Sequence, residues 1–164
     1  MEDNNITLKY IGEEVLSKQA SEVDDVNSSD TQSIIDKMFE IMTKEKGIGL
    51  AAPQIGISKR ILIIKADSEE FTVINPRITK RSDEFILFTE GCLSVPGKEL
   101  PILRHQKVTV EFLDKHGNKQ TVEALGLLSV VFQHEIDHLD GILMTDRYEQ
   151  QNLLRQQLNL TQEV

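Results

Sequence analysis

With 164 residues, 39% hydrophobic and 27% charged, the chain is sized for a single domain over residues 1–164 that buries a core of its own. A formal net charge of −9 argues against broad attraction to phosphate backbones, which basic patches normally carry, so no DNA partner is expected. The longest apolar runs, 61–64 and 125–132, fall short of the roughly 20 residues a spanning helix needs, and MEDNNITLKY lacks the features of a secretory signal, so a soluble cytoplasmic protein without a membrane partner is expected.

Residues 21–31 are polar and lead into Ser29-Asp30-Thr31-Gln32, where the capping-box spacing of Ser29 and Gln32 predicts a helix start. Ile34, Ile35, Met38, Phe39, Ile41 and Met42 then recur at helical spacing until Gly47 stops the pattern, as in a core-packing helix. Segments rich in β-branched and aromatic residues predict strands: ILIIKA from 61, FTVINPRI from 71, EFILFTE from 84, KVTVEFLD from 107 and KQTVEAL from 119. His116-Gly117-Asn118 predicts a hairpin between the last two. The apolar run over 127–139 is too long for a strand and predicts a buried helix ended by Asp140-Gly141, and a short polar helix from Tyr148 to about residue 158 closes the chain. The expected fold is α+β, a single compact domain with antiparallel strands around a central helix.

That central helix carries Gln133-His134-Glu135-Ile136-Asp137-His138. Histidines at i and i+4 share one helix face, so both imidazoles can reach one ion, with Glu135 beside it to take a proton from water. An HExxH pattern also arises on solvated surface helices. Here Leu128, Val131, Phe132 and Ile136 surround the charges, and a buried charged cluster is costly unless paired or metal-bound, which favours the metal reading. A catalytic metal needs a third protein ligand and an open position. Cys92 is the chain's one cysteine, so it is a buried small hydrophobe, a reactive thiol or a ligand; its loop, with Gly91 before it and Pro96 ending regular structure, favours the ligand. The small-residue segment over 47–56 reads either as a plain glycine-rich turn or as a wall that lets a ligand approach the backbone, with Gln54 positioned to donate to an oxyanion.

In chain order, GIGLAAPQIG, EGCLSVP and QHEIDHLDG resemble the three signature segments of peptide deformylases, enzymes that remove the formyl group from the N-terminal methionine of new polypeptides. The resemblance implies a divalent metal, ferrous iron in the native enzyme with zinc, nickel or cobalt as substitutes, held by Cys92, His134 and His138. It makes Glu135 the general base and then the general acid, with the oxyanion received by the metal, the Gln54 side-chain amide and the Leu93 backbone N–H. It also implies that Ile48, Leu127, Val130 and Val131 line an apolar pocket for the methionine side chain, while backbone near Gly49 pairs with the peptide as an added strand. N-formylated nascent peptides are then the substrates. With a single Arg in QQNLLRQQLNL, contact with the ribosome is expected to be weak. Asp137 is expected either to orient a ligand or to be a solvated or capping acid, and Arg104 either to pair with Glu90 or to lie on the surface. Three departures from the family pattern stand out: Tyr10-Ile11-Gly12-Glu13-Glu14 replaces the usual proline-aspartate opening, Ser129 replaces an apolar alanine, and Glu99 stands where some members carry a basic residue.

Overall fold

The computed structural model of the chain describes residues 6–159. Five antiparallel strands form one sheet in the order β1 (Gly49–Ala51), β2 (Ile61–Ala66), β3 (Glu69–Arg81), β6 (Lys107–Leu113) and β7 (Lys119–Leu125). Strands β4 (Phe85–Cys92) and β5 (Val95–His105) pair with each other as a separate ribbon, an excursion between β3 and β6.

The continuous apolar run Ile61, Leu62, Ile63, Ile64 has its explanation in β2, which is covered on both faces. Leu62 and Ile64 pack with Val131, Phe132 and Ile136 of helix α2 (Leu127–Leu139). Ile61 and Ile63 point the other way, onto Ile34, Ile35, Met38 and Met42 of helix α1 (Ser29–Lys44), as the period-two alternation of a strand requires. Residues 128–139 are all buried, so α2 is enclosed on every side. A third apolar cluster, Leu16, Val95, Ile102, Leu143 and Met144, fastens the ribbon to helix α3 (Met144–Asn159).

The observed α2 matches its expected bounds, and Gly117, at φ +82°, turns the β6–β7 hairpin as read. Other boundaries differ. Helix α1 is capped by Ser28, whose hydroxyl accepts from the Thr31 N–H; Gln32 closes no capping box and instead donates to the Val26 and Lys115 carbonyls. Pro96 does not end regular structure, because it lies inside β5 together with Pro101. A two-stranded ribbon gives each strand only one neighbour, so a proline's missing N–H can face the open edge. Strand β1 is three residues long and was not foreseen, and α3 begins at Met144, four positions before the expected Tyr148.

Candidate active site

Helix α2 and the ribbon bring three ligand atoms together. His134 and His138 stand one turn apart with ring centroids 4.9 Å from each other, and Cys92 faces them from the end of β4. His138 Nε2 lies 3.2 Å from His134 Nε2 and 3.4 Å from Cys92 Sγ, and the three donor atoms all lie within 4.8 Å of one another. Two imidazole nitrogens and a sulfur with lone pairs directed at one point repel unless a proton or a cation sits among them. The donor set therefore fits a divalent ion, and one thiolate with two imidazoles leaves a position open.

The other nitrogen of His134 is already committed: Nδ1 donates to Glu90 Oε1 at 2.7 Å, which fixes the ring and turns Nε2 toward the ligand cluster. Burial opposes charge on His134, but the Cys92 sulfur and the Glu90 and Glu135 carboxylates outweigh it and raise its pKa to about 10. Without an ion, that ring holds the proton an ion would displace. His138 is driven well below the usual histidine range by burial and by the facing charges of His134 and Arg104, so it presents a neutral nitrogen.

Glu90 is held by Arg104, whose Nε and Nη2 donate to its two oxygens at 2.7 and 2.9 Å. Burial pushes the Glu90 carboxyl up, but hydrogen bonds from Arg104 and His134, with their charges, bring it down to about 2. Arg104 Nη1 also donates to Asp137 at 2.6 Å. Asp137 is thus neither solvated nor a cap, and Arg104, 4% exposed, is no surface residue.

Glu135 lies beside this cluster. Burial raises its carboxyl to about 7, a lift that Glu90 reinforces while the charges of His134 and Arg104 oppose it. Its Oε2 is buried and has no hydrogen-bond partner among the described residues. A carboxyl poised near neutrality with a free oxygen is suited to moving protons.

A cleft of about 790 Å³ opens over the site, within the size range of small-ligand pockets. Ile48, Gly49, Gln54, Cys92, Leu93, Leu127, Val130, Val131, His134 and Glu135 all line it, so every residue expected to act reaches the cleft except His138, which is buried. Glu99 stands at its rim with Lys98. Gln54 is fully enclosed: Oε1 accepts from the Ala51 N–H, and Nε2 donates to Ser94 Oγ at 3.1 Å and points at Cys92 Sγ at 3.7 Å. Despite its departure from the proline-aspartate pattern, the N-terminal segment is docked here, through Lys9 N–H to the Gln54 carbonyl and Ile11 N–H to the Ser94 carbonyl. Ser129, where an alanine was usual, is satisfied by donating to the His105 carbonyl.

The sequence reading missed the Glu90–His134 bond, Ser94, Arg147 and Gln151. The Glu two residues before Cys92 was the one available signal for the first, because an acid beside a ligand loop is a natural partner for a ligand histidine. The others depend on contacts between distant elements.

Two imidazoles and a thiol around one point, a buried carboxyl at their side and an apolar cleft above them define a metal-dependent hydrolase. A family model described as polypeptide deformylase matches residues 6–153, and the chain belongs to that family. It is 39% identical over 158 residues to a peptide deformylase of Picosynechococcus sp., covering 93% of this chain and 84% of the relative. The crystal structure of the Thermotoga maritima peptide deformylase superposes with a TM-score of 0.84 at 36% identity, covering 87% of this chain and 96% of that one. A Met-Ala-Ser-bound class I type b peptide deformylase from Acinetobacter baumannii gives 0.82 at 32% identity, covering 87% and 97%.

Proposed function

We propose that Cys92, His134 and His138 hold one divalent ion at the base of the cleft and that Glu135, Gln54 and Leu93 carry out deformylation around it. Removal of the N-formyl group from newly made peptides, with release of formate, is the activity of the family to which the chain belongs. The convergence of one sulfur and two Nε2 atoms beside the unpartnered Glu135 carboxyl carries the reading. When bound, the ion supplies Lewis acidity and makes water a nucleophile near neutral pH. Ferrous iron is the ion proposed for the native enzyme, and zinc, nickel and cobalt suit the same donors.

Glu135 takes a proton from the attacking water and delivers it to the departing amine, and its elevated pKa suits both transfers. Gln54 Nε2 has two protons, one on Ser94 Oγ and the other aimed along the longer contact to Cys92; the second turns to the formyl oxygen as charge develops there. The Leu93 N–H, in the turn after β4, is assigned as the second donor. Ile48, Leu127, Val130 and Val131 form the apolar wall for the methionine side chain. Lys65 N–H bonds to the Ile48 carbonyl, so antiparallel alternation turns the backbone groups of Gly49 away from β2, free to pair with a peptide.

The substrates are formylated nascent peptides, which sets the work in the cytoplasm of a bacterium or a phage-infected host, or in an organelle that uses formylated starts, and the whole of 1–164 is taken as one deformylase domain. No helix among the described residues is long and apolar enough to cross a membrane. Contact of α3 with the ribosome is proposed to be weak.

The test is formate release from formyl-Met-Ala-Ser by protein loaded anaerobically with ferrous iron, with Glu135→Ala alongside. Turnover by the wild type, and a variant that keeps its ion but is silent, is the expected pair. A metal-loaded wild type that releases no formate would sink the reading.

A further inference from the structure

Helix α3 approaches the site from outside, and its first turns reach into the charge network. Arg147 donates twice to Asp137, from Nε to Oδ2 at 3.0 Å and from Nη2 to Oδ1 at 2.8 Å. The same Oδ2 accepts from Arg104 Nη1, Arg104 forks onto Glu90, and Glu90 accepts from His134 Nδ1. Four contacts thus join α3 to the ring of His134 without a gap. One turn further along α3, Gln151 brackets the backbone of Leu103, accepting from its N–H at 2.9 Å and donating to its carbonyl at 3.0 Å. Leu103 immediately precedes Arg104, so residues i and i+4 of one helix hold Arg104 from two directions: through its acid and through its strand.

Asp137 needs this arrangement. A buried carboxylate accepting from one guanidinium through one oxygen would leave the second oxygen uncompensated, and Arg147 occupies it with fork geometry that a lysine cannot reproduce. Without Arg147, Asp137 draws on Arg104 alone, Arg104 is pulled off the Glu90 fork, and the carboxylate that orients His134 loses its own support. We infer that Arg147 is a positioning residue for the metal ligand His134, acting through Asp137, Arg104 and Glu90, and that Gln151 steadies the same path from β5. The inference rests on the reading of Cys92, His134 and His138 as ligands.

The test uses the full chain loaded with cobalt, whose visible spectrum reports ligand geometry and whose thiolate charge-transfer band reports Cys92. Wild type, Arg147→Leu, Arg147→Lys and Tyr148→Ala are compared for spectrum, for rate of cobalt loss to a chelator and for thermal stability. Tyr148 packs against the apolar cluster that docks α3 and donates nothing to the network, so its variant weakens the docking of the helix while leaving every donor in place. Arg147→Leu is expected to shift the visible bands and lose cobalt about tenfold faster, near the lower end of the range for partners of metal ligands. Arg147→Lys should fall between it and the wild type, and Tyr148→Ala should lower stability with a smaller shift of the bands and a smaller rise in loss rate than Arg147→Leu. If Tyr148→Ala speeds cobalt loss as much as Arg147→Leu does, or if neither Arg147 variant alters spectrum or loss rate, the positioning role is overturned. Absence of the thiolate band in the wild type overturns the ligand reading, and this inference falls with it.

Discussion

Gly49 and Glu135 are in such close approach that a Cβ built on Gly49 would lie 2.6 Å from Glu135 Oε1. The glycine is there because the carboxyl occupies the space a side chain would fill. Gly49→Ala therefore displaces the proposed proton-transfer group and spares the core. A shift of about 1 Å in a reacting group costs on the order of a hundredfold in rate. That loss in kcat/KM for formate release is expected, with a melting temperature close to wild type; a fully active alanine variant would show that Glu135 need not sit where it does.

Gln54→Leu keeps the volume of the side chain and removes the donor. Loss of one oxyanion donor costs about 10²–10³ in kcat, and KM should change little. Steady-state kinetics on the formylated tripeptide separates the two, and a rise in KM at constant kcat would reassign Gln54 to substrate binding.

Two carboxyls, Glu90 and Glu135, act with opposite sign on the pH dependence of the ion-free protein. Glu90 is lowered from 4.5 to about 2, so the stability it contributes is complete above 4.5 and is lost as pH falls toward 2. That contribution is on the order of 3 kcal/mol. Glu135 is raised from 4.5 to about 7, so its contribution is complete below 4.5 and is lost as pH rises through 7. Urea midpoints of chelated protein should fall on both sides, with Glu90→Gln flattening the acid limb and Glu135→Gln the neutral one.

Phe132 lies on α2 beside the metal ligands but faces the sheet, with ring centroids 5.6 Å from Phe71 and 6.3 Å from Phe112. Phe132→Ala should cost about 3–5 kcal/mol of stability. At a temperature where the variant is folded, KM should stay near wild type, as measured by formate release; a KM change larger than the change in kcat would mean that the core face shapes the cleft.

The sequence disclosed most where pattern and chemistry are local. Helix α2 was legible to the residue because its apolar run is too long for a strand and is ended by Asp140-Gly141, and its histidine spacing is a property of any helix. Strand β5 was not, because Pro96, Gly97 and Pro101 carry the chemistry of turns and only a ribbon with an open edge makes them acceptable. Strand β1 is too short to show a period. The histidine pair could be read from spacing, whereas the Arg147–Asp137–Arg104–Glu90 path joins α3, α2, β5 and β4, and of its steps only the Arg104–Glu90 pair was among the readings the chain offered.

The ribbon carrying Cys92 and Glu90 shares no ladder with the main sheet. It is fixed by an apolar cluster, by the Arg104 ion pairs, by hydrogen bonds such as those between Gln151 and Leu103 and between His105 and Gln133, and, through Cys92, by the cation proposed for the histidines. A bound ion would thus double as a rivet between two pieces of the fold, and its escape would leave the ribbon held by the protein's own ties alone. Amide hydrogens at the Cys92 end of the ribbon should therefore exchange faster once a chelator has removed the ion.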